Sequence, residues 1–198
     1  MKTRILTATT ENVREAAEVV KKGGLVVYPT DTVYGLGCDP FNAAAVVRLI
    51  EAKGGRDKPL PILAHSMGDI ERVAELPERA RRLGEKHWPG PLTLILLRKN
   101  LPDIVTLGSA TVGVRIPNNT IALTLLKLSG GLLVGTSANK SRAQPPSTAL
   151  EAYEQLKDEV DVVLDGGSAG LRVSSTIVDL TGKKPRMLRA GALNIKDL

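Results

Sequence analysis

Cysteine is almost missing from this sequence: Cys38 is the only one among 198 residues. No intrachain disulfide can form, and a lone thiol suits a reducing compartment. Aromatic residues make up 3% of the chain, too few for the ring platforms on which single-stranded nucleic acids stack. No apolar run approaches the roughly 18 residues of a membrane-spanning helix. The opening Met1-Lys2-Thr3-Arg4 leads into a strand-like run, with neither the apolar stretch nor the small-residue cleavage site of a secretory leader. The expected location is the cytoplasm, with no membrane partner. Repeats, low-complexity tracts and linkers are also missing, and the length suits one domain over 1–198. A chain of this size can bury enough surface to fold without disulfide or metal staples. Several chemical signatures are lacking too. No Cys/His cluster has zinc spacing, no G-x-x-x-x-G-K-[ST] loop occurs, and there is no G-x-S-x-G elbow.

What is present is a modest positive excess. Lys plus Arg number 27 against 21 Asp plus Glu, a net charge of +6. That balance suits a nucleotide or RNA, and equally an ordinary charged surface.

Hydrophobic periodicity divides the chain into short elements. Helices are expected over Glu11–Lys22, Asn42–Ala52, Pro77–His87, Thr120–Leu128 and Ser147–Lys157. Thr10 is the expected cap of the first, and Ser147 or Thr148 of the last. Strands are expected around Ile5-Leu6 and over Leu25–Tyr28, Leu60–Ala64, Leu92–Leu97, Thr111–Ile116 and Leu132–Gly135. Three more follow at Val160–Leu164, Ser175–Leu180 and Arg186–Arg189. Strands and helices mix irregularly and strands cluster late, which favours an α/β fold with a mixed sheet and flanking helices.

Three segments bear chemistry. In the first, the buried strand Leu25–Tyr28 empties into Pro29-Thr30-Asp31-Thr32-Val33-Tyr34-Gly35-Leu36-Gly37. Strand ends are the usual ligand crevice of α/β sheets, and glycines let a ligand approach the backbone. The stretch can equally be a tight turn capped by Asp31. In the second, Lys53-Gly54-Gly55-Arg56-Asp57-Lys58-Pro59 places three cations around two glycines. It can wrap a polyphosphate or serve as a charged helix end followed by a solvated turn. In the third, Thr136-Ser137-Ala138-Asn139 puts small hydroxyl and amide groups at a strand end, as an anion pocket or a plain Ser/Asn turn. His65 follows a strand and can be a pocket-edge donor or a structural histidine.

Seven stretches, in order, resemble the YrdC-like family of threonylcarbamoyl-AMP synthases. They are Pro29–Gly37; Lys53, Arg56 and Lys58-Pro59-Leu60; Trp88-Pro89-Gly90-Pro91-Leu92-Thr93; Val114-Arg115-Ile116-Pro117; Thr136–Asn139; Ser175–Leu180; and Leu188-Arg189-Ala190-Gly191-Ala192. The resemblance covers nearly the whole chain. It implies a twisted mixed sheet curled around a positively charged concave pocket. It also implies a reaction that joins L-threonine, bicarbonate or CO2 and ATP into threonylcarbamoyl-AMP and pyrophosphate. A separate threonylcarbamoyl transferase complex would then modify tRNA, and direct tRNA contact is possible on this reading. Thr32, His65, Arg115, Gly135 and Ser175 would bind threonine. Lys53 and Arg56 would act on the triphosphate. Arg56, Lys58, Thr111, Ser137, Asn139, Ser147 and Arg189 would bind ATP. Mg2+ would accompany the ATP, with no metal ligands supplied by the protein.

Two stretches depart from the family pattern. Lys53–Pro59 is about one residue shorter than the family's usual Lys-x-Arg stretch leading to Pro-Leu. After Asn139, Lys140-Ser141-Arg142 lacks the usual glycine. The 198 residues extend over the catalytic domain of the long members, and the expectation is either the short form or the catalytic domain of the long form. The rival reading is an RNA-binding module of the same fold without synthase activity.

Overall fold

The computed structural model describes residues 2–195. Met1 and residues 196–198, which the expected domain span includes, lie outside the described residues. No helix among the described residues is long and apolar enough to cross a membrane.

The mixed α/β class holds, but the strands divide into two sheets where a single one was expected. The first sheet has the order β1-β9-β2-β3-β8: β1 (Arg4–Thr7), β9 (Val162–Asp165), β2 (Val26–Tyr28), β3 (Gly35–Gly37) and β8 (Thr136–Ser137). The second has the order β11-β10-β5-β6-β4-β7: β11 (Arg186–Arg189), β10 (Thr176–Asp179), β5 (Leu92–Leu97), β6 (Thr111–Arg115), β4 (Ile62–Ala64) and β7 (Leu132–Val134). The chain crosses between the sheets at Gly135, whose N–H donates to Pro61 O at 2.9 Å. Gly135 therefore leaves β7 beside β4 and delivers Thr136 directly to the edge of β3, where Leu36 pairs with Thr136.

The first chemical segment is shorter as a loop than expected. Gly35–Gly37 is a strand antiparallel to β2, with Tyr28 opposite Gly35 and Val26 opposite Gly37. The ring of Tyr28 lies over both glycines: a Cβ on Gly37 would stand 2.9 Å from Tyr28 Cε1. Side chains there would force the ring away, so the two glycines let a tyrosine pack flat on the adjacent strand.

Helices form where apolar spacing and capping agree. In α1 (Thr10–Lys21), Val13, Ala16, Ala17 and Val20 are buried. The cap is Thr9, not the expected Thr10: its hydroxyl accepts from Asn12 N at 3.2 Å. In α2 (Ala43–Ala52), Asn42 precedes the helix as cap, with its side chain accepting from Ala45 N at 3.1 Å. Gly54 and Gly55, at φ +77° and +94°, stop α2 and turn the chain sharply after Lys53. The short α3 (Met67–Glu71) and α5 (Asp103–Thr106) have too few turns to show a helical period and were not expected. Pro77 stands just before α4 (Glu78–His87) rather than inside it. Next comes α6 (Thr120–Leu128), capped by Asn119. α7 (Ala149–Leu156) begins after Thr148, whose hydroxyl accepts from Glu151 N at 3.2 Å.

Two apolar clusters support these layers. α1 and α6 meet over Val26, Tyr28 and Leu164. The larger cluster joins Leu36, Leu49, Ile62, Leu94, Val114 and Val134. In β5, Leu92, Leu94 and Leu96 face this core while Thr93 and Ile95 face the other way. That is the two-residue alternation of a strand, and it makes one face of the second sheet the floor of a cavity.

Candidate active site

The cavity measures about 1330 Å³. It lies where the second sheet faces the Pro29–Gly37 segment and the crossing at Gly135. Its floor is Pro61, Leu63, Ile95, Gly113 and Ile177. Its walls carry six cations, Lys53, Arg56, Lys58, Arg115, Arg142 and Arg189, against one carboxylate, Asp57.

At one end stands Arg115, 6% exposed. Its Nε donates to Gly90 O at 2.9 Å, Nη1 to Thr32 Oγ1 at 3.0 Å and Nη2 to Asp31 Oδ1 at 2.5 Å. Asp31 Oδ1 also accepts from Asn118 N at 3.1 Å. Burial draws the Arg115 pKa down while Asp31 opposes it, and a guanidinium stays charged. The carboxylate thus serves as a clamp on Arg115 rather than as the cap of a turn. The turn is held by Thr30, whose hydroxyl donates to Val33 O at 2.6 Å and accepts from Thr32 N at 3.1 Å. Beyond Arg115 lies Arg189, with Nε donating to Ser175 O at 2.9 Å and Nη2 to Ser175 Oγ at 3.1 Å. Ser175 Oγ lies 2.8 Å from Thr93 Oγ1. Burial and then the charge of Arg115 lower the Arg189 pKa. Two guanidiniums and three hydroxyls therefore converge, with one of the guanidiniums already paired.

The second cluster lies where the end of α2 meets Thr136–Asn139. Lys53 is 3% exposed. Its Nζ donates to Ser137 O and Asn139 O, each at 2.7 Å. Burial, then Arg56 and Lys140, push its pKa down to about 7. Arg56 Nη1 donates to Thr136 Oγ1 at 3.0 Å, and its Nε and Nη2 bond Lys58 O and Pro59 O. Ser141 completes the stitching: its N–H donates to Lys53 O at 2.8 Å and its hydroxyl to Gly55 O at 2.6 Å. Asn139 Nδ2 donates to Lys140 O and Ala143 O, while its buried Oδ1 has no partner among the described residues.

Eleven of the residues singled out from sequence line this one cavity: Thr32, Lys53, Arg56, Lys58, Thr111, Arg115, Gly135, Ser137, Asn139, Ser175 and Arg189. Two do not. His65 has Nδ1 3.2 Å from Leu123 O. Ser147 turns to Glu151, with N and Oγ at 2.6 and 3.1 Å from Oε2. The cavity adds Thr30, Tyr34, Thr93, Thr136, Ser141 and Arg142. Strand alternation pairs Thr93 with Ile95 and Arg115 with Gly113, and was the signal that could have found Thr93. Tyr34 holds the wall from behind: its hydroxyl donates to Gly167 O at 2.5 Å and accepts from Gly166 N at 3.2 Å.

Fold and cavity together define a mixed α/β protein with a cleft at the junction of two sheets, lined by six cationic side chains. The family model Sua5/yciO/yrdC, described as Telomere recombination, matches residues 18–191, and the chain belongs to that family. The threonylcarbamoyl-AMP synthase of Pyrococcus abyssi is 40% identical over 189 residues, covering 94% of this chain and 56% of that protein. The threonylcarbamoyl-AMP synthase of Halorhodospira halophila is 36% identical over 170 residues, covering 84% of this chain and 89% of that protein. The crystal structure of P. abyssi Sua5 complexed with L-threonine superposes with a TM-score of 0.93 at 38% identity, covering 98% of this chain and 58% of that one. The chain thus spans little more than half the length of the P. abyssi relative.

Proposed function

We propose that this protein is an L-threonylcarbamoyladenylate synthase, a nucleotidyltransferase that joins L-threonine, bicarbonate or CO2 and ATP and releases pyrophosphate. The observation that carries the reading is one cavity that holds two cation clusters, Arg115 with Arg189 and Lys53 with Arg56, together with an apolar floor. Two anionic reactants can be held apart and then joined across such a floor. The relatives described above include named synthases and a structure with L-threonine, which supports the same substrates here.

Arg115, oriented on three sides, would grip the threonine carboxylate as a fork, with Thr32 and Ser175 supplying hydroxyls. The free amine of threonine captures CO2 as a carbamate and releases a proton. A carbamate oxygen then attacks the α-phosphorus of ATP, and the bond to the β-phosphate oxygen breaks. Lys53 and Arg56 would hold the phosphates and neutralise charge that builds on them. Positioning and fixed cations are the main resources for such a transfer. Lys58, Thr111, Ser137 and Arg189, on the same walls, are proposed nucleotide contacts. Because Asp57 is the single carboxylate on the wall, Mg2+ would arrive on the phosphate oxygens and keep water ligands. Asn139 Oδ1, buried without a partner among the described residues, would offer a hydrogen-bond acceptor to the hydrated ion. Mg2+ supplies further charge neutralisation when bound. The mixed anhydride is labile, so a transferase complex acting on tRNA is the proposed consumer.

Release of pyrophosphate is the test. Protein with Mg2+, ATP, bicarbonate and threonine should produce it, and omission of threonine should stop it. An unchanged rate without threonine rejects the assignment. Retention of tRNA with no pyrophosphate release favours the binding-module reading instead.

A further inference from the structure

One cation on the cavity wall is explained neither by packing nor by the roles assigned above. Arg142 has φ +69°, in the left-handed region that side chains other than those of glycine, asparagine and aspartate rarely enter. It is the third residue of a turn closed by Ala143 N donating to Lys140 O at 3.0 Å. A turn with positive φ at that position ordinarily takes glycine or asparagine.

The rest of the turn is pinned. Asn139 Nδ2 bonds Lys140 O and Ala143 O, Ser141 N bonds Lys53 O, and Lys140 Nζ bonds Ala52 O at 2.7 Å. Arg142 is an exposed residue of this turn and one of those that line the cavity, and its side chain makes no hydrogen bond or ion pair among the described residues. A strained backbone that carries an unpaired cation into a ligand cavity is a reason to look for a ligand.

Depth identifies which part of the ligand. Lys53 lies at the base of this wall, 3% exposed. Arg142, on the same cavity, is exposed to solvent, which sets it nearer the opening than Lys53. The α-phosphorus must meet a carbamate formed at the Arg115 end, inside the cavity, so the distal phosphates point towards the rim. Resting on the synthase reading, we infer that Arg142 is a further polyphosphate-binding residue, engaging the β- and γ-phosphates of ATP and then the departing pyrophosphate.

Arg142→Gly separates the two sides of this inference, since it removes the cation and relieves the backbone. The probes are inorganic pyrophosphate and AMP, measured by calorimetry on wild type, Arg142→Gly, Arg142→Gln and Arg142→Lys, with thermal unfolding of each. Pyrophosphate should bind about five- to tenfold more weakly to the Gly and Gln variants, as befits one exposed charge-assisted contact. Arg142→Lys should recover part of that loss. AMP affinity should hold within about twofold, and the Tm of Arg142→Gly should equal or exceed that of wild type. Pyrophosphate affinity unchanged in Arg142→Gly overturns the inference while leaving the synthase reading in place. A fall in Tm with AMP and pyrophosphate weakened alike assigns Arg142 a structural role and also overturns it. Wild type that binds neither pyrophosphate nor ATP overturns the synthase reading and this inference together.

Discussion

Lys53 should take up a proton when the polyphosphate arrives. In the empty cavity its pKa is about 7, pushed down first by burial and then by Arg56 and Lys140. A bound polyanion reverses the electrostatic part of that depression and brings the pKa back towards its ordinary value near 10.4. At pH 8 the empty-site lysine is about 10% protonated, so binding can take up at most about 0.9 proton; at pH 6 it is already about 90% charged, and the uptake shrinks to at most about 0.1. The whole shift corresponds to roughly 5 kcal/mol. That is a ceiling, because the carbonyls of Ser137 and Asn139, 2.7 Å from Nζ, favour the ammonium. The same shift sets a stability slope. The folded pKa lies below the unfolded one, so between about pH 7 and pH 10.4 the unfolded chain holds more protons and stability rises with pH. Below pH 7 the penalty for the buried charge is felt in full. Calorimetry of ATP binding at pH 8, in buffers of differing ionisation enthalpy, reads the proton count directly. Lys53→Met should abolish the uptake. An uptake below about 0.2 proton in wild type, or the same uptake in Lys53→Met, would show that Lys53 is already charged in the empty site and refute the reasoning.

Two further expectations rest on other parts of the molecule. Arg115→Lys keeps the charge but loses the fork towards Thr32 and Asp31, so the KM for threonine should rise about thirtyfold, for a loss of about 2 kcal/mol; steady-state kinetics should show the KM for ATP within about twofold, and an equal rise for both would place Arg115 between the ligands. Cys38 is fully buried and its thiol is pushed up to about 12. It should resist thiol reagents at pH 8 until denaturant is added, and rapid labelling of the native protein would contradict its burial.

Much of the fold was legible locally. The helices α1, α2, α6 and α7 announce themselves by apolar spacing and by a hydroxyl or amide at the cap, and misplacement was by one or two residues, as with Thr9 for Thr10. β3 was not legible. Gly35-Leu36-Gly37 has almost no strand propensity of its own, and it becomes a strand by pairing with β2 on one side and β8 on the other. The division into two sheets was hidden for a similar reason: Gly135 reads as the end of a strand, while its neighbours on either side pair with different partners.

The candidate site shows the same boundary. By itself the sequence determined the α/β class and the three chemical segments, while Thr111, Arg115, Gly135, Ser175 and Arg189 were singled out only by the family resemblance. The class and the segments depend on residue type and on neighbours along the chain. Only the tertiary structure decided that Asp31 clamps Arg115, that His65 lies against Leu123 O and Ser147 against Glu151, that Arg142 is exposed on the cavity wall, and that Lys53 is buried among cations. Each of these is a matter of distance through space between groups far apart in the chain. Desolvation and Coulomb interaction act through space, so the charge state and aim of a side chain are settled only when the sheets come together.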